Sequence, residues 1–140
     1  MTDHSAPNDT RDPMRLLWTF LFYTLAGPFL AGLLAAAVTI VLGDIARMPD
    51  VPNPGEFGIS VYIWSAIPAA FTALMLLPLV WKRGGFGIAE AGIAGVIAFG
   101  VAFILSPLPL GGAMSYAAFS AGLISIAVRQ ILISGKIIQP

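Results

Sequence analysis

The sequence predicts an all-α integral membrane protein: an antiparallel bundle of four transmembrane helices with both termini on the cytoplasmic side. Three observations carry that prediction. Four apolar runs, about 16–42, 59–81, 86–105 and 113–133, are almost free of charge. At ~1.5 Å per residue each is long enough to cross a ~30 Å hydrocarbon layer. Only 10% of the chain is charged and 58% is hydrophobic, against roughly 25% charged in an ordinary soluble domain. Finally, the basic residues are unevenly placed. With four spans, Arg11, Arg15, Lys82, Arg83, Arg129 and Lys136 share one side and Arg47 lies alone on the other. Positive charge marks the cytoplasmic side of short loops, so both ends face the cytoplasm, as in a bacterial inner membrane.

Each element follows in order. Residues 1–15 are polar and carry Pro7 and Pro13, which reads as a disordered cytoplasmic tail. The first run is nearly twice the ~7–15 residues of a signal-peptide core, so it is read as an uncleaved span. Residues 43–58 hold Pro49, Pro52, Pro54 and Gly55, a turn-rich outer loop. Its acids Asp44, Asp50 and Glu56 match no oxygen-ligand spacing for a divalent cation and read as a solvated loop. Lys82-Arg83-Gly84-Gly85 is a tight turn joining the second and third spans, and the uncharged segment 106–112 joins the third to the fourth. Residues 134–140 form a short cytoplasmic tail. Trp18, Tyr23 and Trp81 fall at one headgroup level and Tyr62, Trp64 and Tyr116 at the other, the pattern of an aromatic belt. Pro28, Pro68 and Pro78 fall inside spans and free the carbonyls of Thr24, Trp64 and Leu74; Pro107 closes the third. The similar segments Phe57-Gly58-Ile59-Ser60 and Phe86-Gly87-Ile88-Ala89 extend to no wider repeat.

Composition also excludes. Seven basic and seven acidic residues leave no basic face for nucleic acid. Without cysteine there are no disulfides, thiol nucleophiles or thiolate metal sites. The single histidine, His4, lies in the leader, so this chain alone cannot hold haem or copper through an intramembrane imidazole. No cofactor and no metal is expected. The spans contain no histidine, cysteine or aspartate, so nothing supplies a nucleophile with its base or an acid pair. The chain is expected to be non-enzymatic.

Two features inside the membrane remain. Helices in lipid associate through small residues that let backbones approach. Gly87, Ala91, Gly95, Ala98 and Ala102 recur at three- and four-residue steps in the third span, and Ala118, Ala121, Gly122 and Ser125 form a stripe in the fourth. These faces are expected to pack as a hairpin. Glu90 and Arg129 each lie about five residues from a cytoplasmic helix end, ~7 Å deep at helical rise. They are candidates for an intramembrane ion pair, or, through Glu90, for a proton or cation site. Small multidrug-resistance transporters resemble this architecture, yet they carry their glutamate in the first span, where this chain has no acid. The sequence therefore favours a non-catalytic accessory or scaffold subunit, packing against other membrane proteins or further copies of itself within the bilayer. The competing reading is a small ion-coupled transporter or channel acting as an oligomer, with Glu90 as the ion site.

Overall fold

The computed structural model describes residues 13–46, 53–107 and 114–139. It contains four helices: α1 (Pro13–Ala46), α2 (Pro54–Arg83), α3 (Ile88–Leu105) and α4 (Met114–Ser134). All four are long and apolar enough to span a membrane. Among the described residues there is no β-strand, only one isolated bridge between Gly85 and Gln139. At most 33% of the most apolar stretch of any span is buried inside the bundle. The rest presents side chains such as Ile104, 81% exposed, to the surroundings, which only lipid can solvate without a large hydrophobic cost.

Helix starts depart from the hydropathy runs for local reasons. Pro13, Met14 and Arg15, expected in the tail, open α1, with proline at the first helical position where its missing N–H costs nothing. Residues 1–12 lie outside the described chain. The loop expected to reach residue 58 ends at Asn53. That side chain caps α2, its Oδ1 accepting from the Gly55 N–H at 2.9 Å and the Glu56 N–H at 3.4 Å, with Pro54 in the first turn. Glu56 therefore belongs to the first turn of α2 and sits favourably against the helix dipole. Arg47 and Asp50 lie outside the described residues.

The α2–α3 turn uses two glycines differently. Gly84 ends α2 in the left-handed region at φ 75°, its N–H donating to the Val80 carbonyl at 2.8 Å. A Cβ on Gly85 would overlap the Gln139 backbone. The proline-containing helices remain helical throughout, and Pro107 lies just beyond the Ser106 cap of α3.

The segment after α4 is no loose tail. Ile137 N–H donates to the Leu132 carbonyl at 2.9 Å and Lys136 N–H to that of Ile133 at 2.8 Å, the paired bonds of a Schellman stop. Lys136 takes the left-handed position, φ 55°, usually held by glycine. The chain then folds back, Gln139 N–H donating to the Gly84 carbonyl at 3.0 Å, and Ile138 is buried. Ile138 joins Leu76, Val80, Phe86, Ala91, Val128 and Leu132 in the main apolar core, which thus gathers near the α2–α3 turn.

Helix seams are made by small residues. Gly32 and Gly58 bring α1 and α2 together so closely that a Cβ on Gly32 would stand 2.8 Å from the Gly58 carbonyl oxygen. Farther along, Gly27 faces Ala69. Between α3 and α4, a Cβ on Gly95 would meet the Ala121 carbonyl oxygen at 2.7 Å, and one on Gly122 would meet Val96 at 3.1 Å. Threonine hydroxyls within the spans are satisfied by their own helices: Thr19 donates to the Arg15 carbonyl, Thr39 to Ala35 and Thr72 to Pro68, each at 2.8 Å.

Candidate functional site

Glu90 and Arg129 do not meet. Because α3 begins at Ile88, two residues later than the apolar run, Glu90 lies in the first helical turn of the third span. Its carboxylate accepts from the Gly87 N–H at 2.7 Å and pairs with the Arg83 guanidinium at 3.0 Å. That is half of a capping box, since Gly87 has no side chain to return the bond. The pair is solvent-accessible, Arg83 67% and Glu90 37% exposed, so it contributes less than ~1 kcal/mol. It is the one ion pair among the described residues.

Arg129 is buried in α4, and its Nε donates to the Phe86 carbonyl at 2.6 Å. The guanidinium thus satisfies a backbone acceptor ahead of the first turn of α3 and stitches α4 to the α2–α3 turn. A second stitch lies deeper. Tyr23, placed by its sequence position in the aromatic belt, is instead 2% exposed. Its hydroxyl donates to the Ser125 carbonyl at 3.0 Å, and the Ser125 hydroxyl donates back at 3.3 Å. The Tyr23 ring also rests against Phe86, with centroids 6.1 Å apart. Beside this, Arg15 Nη1 is buried without a hydrogen-bond partner, over Gly84.

The expected packing residues divide. Ala91, Ala98 and Ala102 are fully buried and Gly95 and Gly122 form the α3–α4 seam. Ala118 is half-buried, and the α4 side of the seam runs through Ala121, Gly122 and Ser125 instead. Gly87 is exposed, a cap rather than a packing residue. The seam also uses Gly92, over which Ile126 packs. Missed from the sequence were the Gly32–Gly58 contact and the Tyr23–Ser125 bond. The first had a signal, the small residues Gly27, Gly32 and Ala36 in α1. The second had none, because its partners are 102 residues apart.

Beside the Tyr23–Ser125 bond, α1, α2 and α4 leave between them a partly open apolar slot of about 340 Å³, lined from α3 by Gly95 and Phe99. Small residues make the room: Gly27, Ala31, Ala35, Ala69, Ala117 and Ala121. Trp64 forms one wall, edge-on to Phe99 at 5.5 Å, its Nε1–H donating to the Ser106 carbonyl at 3.1 Å. Among the described residues, no lysine, arginine, histidine, aspartate or glutamate lines the slot. Among the described residues no group of acids and histidines is placed to hold a metal ion. Comparison with family models, with curated proteins and with solved structures finds no match to this chain.

Proposed function

We propose that this chain is a non-catalytic accessory or scaffold subunit of a membrane assembly. In this reading it sits in a bacterial inner membrane as an antiparallel bundle with both termini cytoplasmic. The numbering of the α1–α2 contacts, Gly27 with Ala69 and Gly32 with Gly58, supports the antiparallel arrangement. The observation that carries the function is the state of the charged groups. Glu90 is committed to the start of α3 and to Arg83, Arg129 to a backbone carbonyl, and neither lines the slot. A proton- or cation-coupled carrier needs a titratable group on the path of its substrate, and among the described residues the slot offers no carboxylate or imidazole. A face for a partner is available on the outside of α3 and α4. There Gly92 floors a shallow apolar furrow rimmed by Ile88, Ile93, Val96, Ile97 and Ile126, the type of surface against which a second membrane helix packs closely.

Purification in mild detergent, with identification of stoichiometric companions, tests the reading. A companion lost on Ile93→Ala with Ile97→Ala, both exposed on the furrow's rim, supports it. Glu90→Gln supplies the opposing outcome. The expected protein keeps its abundance and its companion; pH-dependent transport in proteoliposomes that this substitution abolishes, with the fold intact, overturns the proposal.

A further inference from the structure

The geometry points to the slot between α1, α2 and α4 as a binding site for a single acyl chain of a bilayer lipid. Its dimensions select the ligand first. The lining runs from Tyr23 to Val38 along α1 and from Phe57 to Thr72 along α2, ~22 Å at ~1.5 Å per residue. About 340 Å³, the space open to the centre of a water-sized body, spread over ~22 Å leaves a mean cross-section of ~15 Å² for that centre, a passage ~7 Å wide between atom surfaces. A helix with its side chains is ~10–12 Å across and cannot enter. A hydrocarbon chain can, since packed carbons stand ~3.5–4.0 Å apart. The volume is also more than twice that of a ~150 Å³ apolar cavity that stays dry and takes up benzene.

Polarity selects next. At the deep end the hydroxyls of Tyr23, Ser125 and Thr72 are bonded within the protein, and the Trp64 N–H is bonded to Ser106. A polar acceptor would find no free donor there and would lose its own hydration. Tyr116 and Ser120, one turn apart near the start of α4, line the other end, and neither hydroxyl has a protein partner among the described residues. The site is thus graded, its hydroxyl donors already committed where Tyr23 closes it and free to donate hydrogen bonds to an ester near Tyr116. That gradient matches a lipid whose ester end lies by Tyr116 and whose methyl end lies by Val128. An empty apolar slot would forfeit the dispersion contacts of every lining residue, and in a bilayer the surrounding solvent is itself acyl chain.

The test uses the indole that walls the slot. The chain has three tryptophans; W18F with W81F leaves Trp64, and W18F with W64F leaves Trp81, which is exposed on α2, as a reporter of bulk lipid. Both proteins are reconstituted in phosphatidylethanolamine–phosphatidylglycerol vesicles containing a minor fraction of phosphatidylglycerol with brominated acyl chains, which quench indole on contact. Trp64 is expected to be quenched at brominated fractions that barely affect Trp81. That excess is expected to be lost in Ala35→Leu and Ala117→Leu, which fill the slot from α1 and from α4. Folding of each variant is followed by helical circular dichroism, and if neither filled variant folds, the Trp64–Trp81 comparison decides. Quenching of Trp64 that follows Trp81, or an excess that survives in a folded filled variant, overturns the assignment. So does quenching by brominated free fatty acid with the brominated phospholipid inert.

Discussion

At the end of the bundle that carries the α2–α3 turn, side chains and the C-terminal segment reach across between elements. Arg129 holds the Phe86 carbonyl, Glu90 holds the Gly87 N–H and Arg83, Gln139 holds the Gly84 carbonyl, and Tyr23 holds Ser125. The apolar core lies beside them. At the other end, among the described residues, the Trp64–Ser106 bond is the comparable tie between helices, and α1, α2 and α4 leave the slot between them although α1 and α2 touch at Gly32 and Gly58. The difference teaches where specificity comes from in lipid. Apolar side chains gain little by leaving acyl chains for one another, so helices are held by close backbone approach and by polar groups that hydrocarbon cannot satisfy. Both are present along the bundle, and the slot is left where small side chains on α1, α2 and α4 face one another with no large side chain to fill the space.

The comparison can be broken most severely at Arg129. Arg129→Ala removes a buried charge-assisted bond and strands the Phe86 carbonyl, and about 3 kcal/mol of stability is expected to go. Arg129→Lys should not restore it, because the donor is the guanidinium Nε and an ammonium cannot reproduce its position. Denaturant titration in detergent micelles measures both variants; a wild-type midpoint for Arg129→Ala would show that the stitched end is not what holds the bundle.

Gly95→Ala is next. Its Cβ would lie within 2.8 Å of both the Ala121 carbonyl oxygen and Ser125, so α3 and α4 must separate, at about 2 kcal/mol for overpacking. Gly100 in the same helix has nothing within 4 Å of an added Cβ. Gly100→Ala should therefore be neutral or stabilising by up to ~1 kcal/mol. Equal effects at the two glycines in the same titration would remove the distinction between seam and surface.

The smallest expected effect sharpens the comparison in the stabilising direction. Lys136 occupies a left-handed position at φ 55°, which costs a residue with a Cβ roughly 1–2 kcal/mol. Lys136→Gly is expected to raise stability by about 1 kcal/mol. Thermal melts followed by circular dichroism would show it as a higher midpoint, and an unchanged or lower midpoint would mean that the lysine side chain has a compensating partner.

Four membrane-spanning helices were legible in the amino-acid sequence because length and apolarity alone decide whether a segment suits hydrocarbon. Their starts were read less well. Asn53-Pro54 resembles a loop by composition yet is a cap followed by a favoured first-turn proline. Gly87 falls on the small-residue stripe of α3 but sits one residue before the helix. That shift places Glu90 in the first turn of α3, where its carboxylate caps the helix. Gly95 and Gly122 were recognisable as packing residues because glycine at helical spacing has few other uses in a span.

What the sequence determined by itself was solvent: the free energy of placing a backbone in lipid forces each long apolar run into a helix, whatever its neighbours. Which polar atoms find each other was left to tertiary structure. Tyr23 reads as a headgroup residue until α4 brings Ser125 within 3.0 Å, and the terminal residues read as tail until Ile138 is buried against the α2–α3 turn. Hydrogen bonds and slots depend on distances between segments far apart in the chain, and no local pattern encodes those distances.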